Sequence, residues 1–161
     1  MQSTTDLFGI PKHSNPPRSE VVLIDGFSNG LIGIMARVFT PEKARSVGTD
    51  LTYVNNRDFG DYILVNTPGV YFIGWYENDS STGTVLGITR NTLAFSTVIT
   101  DAAHNPYRLA FNSNNPSLVG MEVSVVAYLN ADDKIHFISN SNAHPDGTGY
   151  FSMVRMTQIS T

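Results

Sequence analysis

After residue 20, apolar and polar residues alternate in short runs that are separated by Gly, Asn, Asp and Pro. Short runs spaced by turn residues are typical of a β-sandwich or a β-barrel. Apolar residues rarely recur at helical spacing, and only residues 41–45 are candidates for a single helical turn. The pattern therefore predicts an all-β domain with ten strands, at residues 21–27, 34–40, 51–54, 61–66, 70–77, 84–90, 92–99, 119–129, 134–139 and 149–159.

The predicted strand at 70–77 is apolar on both of its faces. One face carries Val70, Phe72 and Tyr76, and the residues between them are apolar as well. A strand with one face in water would alternate apolar and polar residues, so both faces need a cover. A second copy of the chain is the simplest cover, which makes these three residues candidates for a trimer interface. The alternative is a cover made by loops of the same chain.

The predicted strand at 119–129 repeats this feature more weakly, because Val126 and Tyr128 interrupt its polar face.

Two connections are also informative. Residues 66–69 place Pro68 and Gly69 at the centre of a turn, which predicts a type II turn with a positive φ at the glycine. Residues 130–133 predict a tight polar turn between two strongly apolar strands.

Residues 1–20 differ from the remainder and form a predicted arm before a domain at 21–161. Three prolines exclude a regular helix or a central strand from the arm. Its large apolar residues include Phe8 and Ile10, which are the candidate anchors on a neighbouring subunit or another protein. The alternative is an arm that folds back on its own domain.

Composition narrows the classes of partner. The net charge is −4, and the basic residues are scattered along the chain, so no nucleic-acid partner is expected. The apolar runs are too short for membrane insertion. No cysteine is present, which excludes a disulfide framework. The first residues lack the pattern of a signal peptide, so synthesis in a cytoplasm is expected.

Four segments, in order along the chain, carry a resemblance to a known superfamily. They are GTDLTY at 48–53, VNTPGVY at 65–71, LNADDKI at 129–135 and GYFSMVRM at 149–156. Together they resemble C1q/TNF-like jelly-roll domains, particularly those at the tips of phage and bacterial fibres. One departure is Asp132, which stands where the turn usually has Gly. Because Asp tolerates a positive φ better than most residues, the turn is expected to survive.

This resemblance implies a ten-stranded C1q/TNF-like jelly-roll sandwich and a homotrimer. It implies a non-enzymatic virion surface protein of a bacteriophage, bound to other virion proteins through residues 1–20. In one version the protein is a receptor-binding fibre tip, and its partner is a host cell-surface glycan or protein. The alternative is a capsid decoration or adaptor protein with a purely structural role. A bacterial adhesin tip would need an export signal.

Strand directions predict where a receptor would bind. If successive strands are antiparallel and the first strand pairs with the last, the arm and the C-terminus share one end of the sandwich. The longest polar loops then share the opposite end, and loops on a rigid scaffold commonly carry binding. The candidate receptor-binding residues on these loops are Asn78, Asp79, Ser80, His104, Asn105, Tyr107, Asn114, Asn142, His144 and Asp146. Tyr107 is the aromatic candidate for stacking on a sugar or for anchoring an interface.

Catalytic and metal-binding patterns are weak in this sequence. No nucleophile elbow and no phosphate-binding loop is present. The histidines lie far apart along the chain, and Asp132 with Asp133 is more typical of a solvated turn than of a cation site. Glycoside hydrolysis needs a pair of acidic residues, and the sequence around the Asp and Glu residues does not indicate any such pair. No enzymatic activity, cofactor or metal is therefore expected.

Overall fold

Two antiparallel sheets packed face to face form the protein. The structure is a computed structural model, and it describes residues 19–24, 27–28, 35–77, 84–113, 120–140 and 149–156. The strands are β1 (Glu20–Ile24), β2 (Phe27–Ser28), β3 (Arg37–Val38), β4 (Arg45–Val47), β5 (Leu51–Val54), β6 (Tyr62–Val65), β7 (Gly69–Glu77), β8 (Leu86–Arg90), β9 (Arg108–Asn112), β10 (Met121–Leu129), β11 (Lys134–Ser139) and β12 (Tyr150–Arg155). Two single 3-10 turns lie at Pro41–Lys43 and Ala102–His104.

Ten of these strands make two five-stranded sheets. Sheet 1 has the order β10-β7-β12-β1-β4, and sheet 2 has the order β5-β6-β11-β8-β9. Strands β2 and β3 form a separate two-stranded ladder. The predicted ten-stranded all-β sandwich is therefore confirmed for the described residues, and the expected pairing of the first strand with the last is also confirmed, because β1 pairs antiparallel with β12.

Aromatic side chains fill the space between the two sheets. Trp75 of β7 contacts Phe137 of β11 edge to face, with ring centroids 5.8 Å apart. Phe137 also contacts Phe39 and Phe151, which come from opposite ends of the chain. Edge-to-face and tilted contacts add to the free energy gained by burying these large rings. The core therefore ties segments that are distant in sequence.

One predicted strand is absent, the predicted strand at 34–40 is reduced to Arg37–Val38, and strands β4 and β9 lie where the sequence predicts none. Residues 92–99 form no strand; this segment crosses the outer face of sheet 2, where Ile99 packs with Ile138 and the backbone oxygen of Phe95 accepts a hydrogen bond from Met35. Conversely, β9 lies at Arg108–Asn112, inside a stretch that the sequence predicts as one long loop. Both segments have a similar apolar content, and pairing with β8 decides which one is extended.

The two predicted connections have different outcomes. At 130–133, Asp133 accepts a hydrogen bond from the backbone N–H of Asn130 at 2.8 Å, and Asp132 has a φ of 69°. The tight turn and the left-handed Asp are thus confirmed. The predicted type II turn at Pro68 and Gly69 is wrong, because Gly69 does not have a positive φ and instead starts β7 opposite Leu129.

Candidate functional site

The outer face of sheet 1 exposes large apolar side chains to solvent in the single chain. Phe72 of β7 is paired with Val126 of β10 and with Val154 of β12, so the three side chains lie in one row across the sheet. Val126 is 57% exposed and Tyr128 is 61% exposed. The exposed large apolar residues of this face are Val47, Val70, Val126, Tyr128, Tyr150 and Met156. We call these residues, with Phe72 and Tyr76, the apolar face of sheet 1.

All three predicted interface residues lie on this apolar face. Val70 is 37% exposed, whereas Phe72 and Tyr76 are half-buried. The ring of Tyr76 packs against that of Tyr150, with centroids 5.8 Å apart. Neighbours within the sheet therefore bury part of each side chain, and the described loops of the chain leave the face open.

Small residues occupy the middle of the same face. Gly74 lies between Ser124 on β10 and Ser152 on β12. A side chain at Gly74 would crowd the ring of Phe72, since a Cβ there would lie 3.2 Å from it. The face is thus low at its centre, with the row of Phe72 on one side and Tyr76, between Tyr150 and Glu122, on the other.

Sequence reasoning alone did not assign Val47, Tyr150 and Met156 to the apolar face. A signal was present for β10, where Val126 and Tyr128 break the polar side of an alternating strand. Val126 and Tyr128 lie on the same face of the sheet as the β7 residues. This follows only from the register, in which Val126 pairs with Phe72 and Tyr128 pairs with Val70.

The sandwich has two distinguishable ends. β7 runs from Gly69, opposite Leu129, to Glu77, opposite Met121. We call the Gly69 end the base and the Glu77 end the loop end. Segments 78–83, 114–119 and 141–148 leave strands at the loop end, where β8, β10 and β12 begin. At the base, the backbone oxygen of Ser19 accepts a hydrogen bond from Arg155. The described chain therefore starts and finishes at the base, as the strand directions predict.

Three of the candidate receptor-binding residues lie near the base and not at the loop end. The backbone oxygen of Tyr107 accepts a hydrogen bond from Arg90, and the next residue, Asn91, donates to Lys134 beside the 130–133 turn. His104 and Asn105 lie in the turn just before Tyr107. The predicted grouping with the other loops is wrong, because β9 reverses the chain once more between Tyr107 and the loop end.

His104 is also buried, although it was expected to face solvent. Its Nε2 lies 2.9 Å from the backbone oxygen of Thr97 and 3.1 Å from the Thr97 hydroxyl. The side chain therefore holds its own segment together. Asn105 is exposed and Tyr107 is half-buried.

The remaining candidate residues lie outside the described part of the chain. In the loops these are Asn78, Asp79, Ser80, Asn114, Asn142, His144 and Asp146, and in the arm they are Phe8 and Ile10. Their proposed roles stay predictions.

A polar cluster at the base joins the two described ends of the chain. Arg155 on β12 contacts Asp50 at 3.2 Å and donates to the backbone oxygen of Pro68 at 3.0 Å. A hydrogen bond from Thr67 is the largest cause that holds the pKa of Asp50 below its ordinary value, with further help from Ser19 and Arg155 against partial burial. Because the carboxylate form of Asp50 is favoured, its contact with Arg155 is kept around neutral pH. This contact holds the base end of the sandwich together.

The described residues contain neither a cluster of metal ligands nor a membrane-spanning helix. Within the described ranges, no three His, Cys, Asp or Glu side chains come together in a way that could hold a metal ion. The same residues include no helix with the length and apolar character required to cross a membrane.

Comparisons with known proteins identify the fold. No protein-family model and no curated protein matches the chain. Among solved structures, GITRL from bushbaby is similar with a TM-score of 0.57 at 11% identity, covering 89% of this chain and 98% of that chain. Murine APRIL at pH 8.0 has a TM-score of 0.52 at 16% identity, covering 86% and 99%. GITRL from pika has a TM-score of 0.51 at 13% identity, covering 88% and 99%. At these identities the likeness concerns the fold, and the chain has the jelly-roll fold of TNF-family proteins.

Proposed function

We propose that this chain is the subunit of a non-enzymatic homotrimer that works by assembly and binding on the surface of a bacteriophage particle. The proposal has three levels: association through the apolar face of sheet 1, attachment through the base, and presentation of the loop end to a host receptor.

The apolar face of sheet 1 carries the proposal of a trimer. Of the nine exposed large apolar side chains in the described residues, six lie on this single face. Soluble monomers rarely expose a large contiguous apolar patch, and such a patch usually marks a contact surface. A copy of the same chain is a natural partner, because most soluble oligomers are closed and symmetric. Three copies is the number that the resemblance to C1q/TNF-like domains implies.

The two ends of the sandwich support attachment at one end and presentation at the other. Ser19 and Met156 are the described chain ends, and hydrogen bonds connect both to the Gly69 end of sheet 1 through Arg155 and Val70. The connections at 78–83, 114–119 and 141–148 leave from the opposite end. An anchor at the base would therefore leave the loop end of the sandwich clear of the anchoring partner.

The buried acids support a binding role over a catalytic one. Glu77 forms an ion pair with Arg37 inside the protein. Asp61 accepts hydrogen bonds from the backbone N–H of Phe39 at 2.8 Å and from the Tyr53 hydroxyl at 2.5 Å. Acids that are buried and hydrogen-bonded in this way are not placed to exchange protons with a substrate.

Native mass, measured by light scattering on the full-length protein, tests the trimer. We expect about three times the chain mass of 17.6 kDa. The substitution Val126→Glu places a charge on the apolar face and should reduce the mass to that of a monomer, because an unpaired charge is costly to bury in a contact. Phe111→Glu is the matched control, since Phe111 is also exposed but lies on sheet 2. A monomeric wild-type protein, or a Val126→Glu protein that stays trimeric, contradicts the proposal.

Adsorption of phage particles to host cells separates the receptor-binding version from a structural decoration or adaptor. Alanine substitutions of Asn78 and Asn142 should reduce adsorption, whereas Asn105→Ala at the base should not. If all three proteins support normal adsorption, the decoration or adaptor role replaces the receptor-binding role. Deletion of residues 1–18 should abolish attachment to the particle in both versions. The deletion leaves the buried Ser19 in place.

A further inference from the structure

A cleft opens on the outer face of sheet 2, on the other side of the sandwich from the apolar face of sheet 1. It has a volume of about 350 Å³ and lies between the loop after β5 and the segment after β8. Ligand sites in proteins occupy roughly 300–1,000 Å³, so the cleft suits one or two small rings. Because sheet 1 provides the proposed contact between copies, the cleft stays accessible in a trimer.

Four aromatic rings contribute to the wall of the cleft. His136 on β11 lies between Tyr62 and Phe95, with ring centroids at 5.2 Å and 5.0 Å. Phe59 continues the row, at 5.6 Å from Phe95. Phe59 is 53% exposed and the neighbouring Leu93 is 79% exposed, although both line a concave surface. The cleft therefore offers flat apolar faces that water contacts and a ligand would cover.

Polar groups lie between these rings. The Nζ atom of Lys134 is 5.4 Å from the centroid of the Tyr62 ring. His136 is 4% exposed, and its Nδ1 atom has no hydrogen-bond partner in the described structure. Lys134 is the one charged residue among those that line the cleft, so the lining favours an uncharged or anionic ligand.

We propose that this cleft binds a pyranose ring of a glycan, with the apolar C–H face of the sugar on Phe59 and Phe95 and its hydroxyl groups towards Lys134. A purely hydrocarbon side chain from a peptide would cover the rings but would offer no hydrogen-bond acceptor to the Lys134 ammonium group. A sugar ring has both the apolar face and the hydroxyl groups. The inference depends on the cleft alone and would hold for a monomer as well as for a trimer.

Saturation-transfer NMR with a panel of small pyranosides tests the proposal. The panel contains the methyl glycosides of glucose, galactose, N-acetylglucosamine and glucuronic acid, with N-acetylphenylalanine amide as a peptide-like probe. We expect transfer to the ring protons of one or more pyranosides, with a Kd on the order of a millimolar, as is usual for a ligand of this size.

Two variants locate the binding. Phe59→Ala should weaken it about tenfold by removing one stacking surface. Phe111→Ala, which removes an exposed ring on the same sheet outside the cleft, should leave it unchanged. Urea unfolding of both variants checks that they fold. The native mass of each sample is measured in parallel, so that loss of the trimer is distinguished from loss of pyranoside binding.

Three outcomes would overturn the inference: no transfer to any pyranoside, transfer that Phe59→Ala leaves intact, or binding of N-acetylphenylalanine amide alone. The last outcome would make the cleft a pocket for a peptide side chain.

Discussion

His136 shows how one residue combines packing with chemistry. It lies on the outer face of sheet 2 opposite Tyr62 and Thr89, and the ring of Phe95 covers it edge on. Burial is the largest cause that lowers the pKa of His136 to about 4, and the nearby charge of Lys134 adds to the effect. The neutral imidazole is therefore the folded form at neutral pH.

The lowered pKa predicts acid sensitivity. In the unfolded chain this histidine takes up a proton near its ordinary pKa of 6.5, whereas in the folded protein it does so only near 4. The unfolded state binds more protons between these values, so the free energy of unfolding falls as the pH falls from about 6.5 to 4. We expect a loss of about 2–3 kcal/mol between pH 7 and pH 4.5 from this residue.

Urea unfolding at the two pH values measures the effect. His136→Gln keeps a polar side chain that does not titrate, and all other histidines remain as the internal control. The variant should lose less stability on acidification than the wild-type protein. Equal losses in both proteins would show that His136 is not the responsible group.

Gly69 shows a different kind of residue-level constraint. A Cβ at this position would lie 2.9 Å from the Nε atom of Arg155. Because Arg155 bonds to Asp50 and to the backbone oxygen of Pro68, its side chain has little room to move. Glycine thus fits this position for reasons of space, and the sequence suggested instead that it was needed for a positive φ.

Two strands, β7 and β11, are apolar on both faces, and the structure covers them differently. The outer side of β11 is buried by the chain itself, since Ile138 packs with Ile99 and Ala36, and His136 packs with Phe95. The outer side of β7 is left half-buried or exposed in the single chain. The same sequence feature therefore leads to an internal cover in one sheet and to a candidate interface in the other.

Gly87 on β8 makes the internal cover of sheet 2 possible. A Cβ at Gly87 would overlap Ile99. Gly87→Ala should therefore push the crossing segment at 92–101 away from the sheet and destabilise the protein by about 1–3 kcal/mol, as overpacking usually does. Urea unfolding measures the loss, and faster limited proteolysis within 92–101 locates it.

Gly149→Ala is the matched control for this prediction. A Cβ there would lie 3.4 Å from the backbone oxygen of Tyr76, which a small adjustment relieves. We expect a much smaller change in stability and no new proteolysis at 92–101. If Gly87→Ala behaved like the control, close packing of Ile99 on β8 would not be what holds the segment.

At the scale of the whole molecule, association and stability should be coupled. If the folded chain is a trimer and the unfolded chain is a monomer, mass action makes the unfolding midpoint depend on protein concentration. Thermal unfolding across a hundredfold range of concentration should show a midpoint that rises with concentration. Val126→Glu should remove this dependence, and Phe111→Glu should retain it. A wild-type midpoint independent of concentration would argue for a stable folded monomer.

The sequence by itself determined the class of fold, because alternation and turn residues are local signals. It also identified β7 as a strand with two apolar faces, the polar turn at 130–133 and the pairing of the first strand with the last. Each of these depends on neighbours along the chain or on a recognised order of motifs.

Only the tertiary structure decided how the remaining segments pair and what covers them. Residues 92–99 and Arg108–Asn112 have comparable strand patterns, and the second is extended because β8 pairs with it. This pairing places His104, Asn105 and Tyr107 near the base, where His104 is buried. The cleft beside His136 and the full apolar face of sheet 1 also bring together residues from distant strands, so the register of the sheets defines them and no local pattern does.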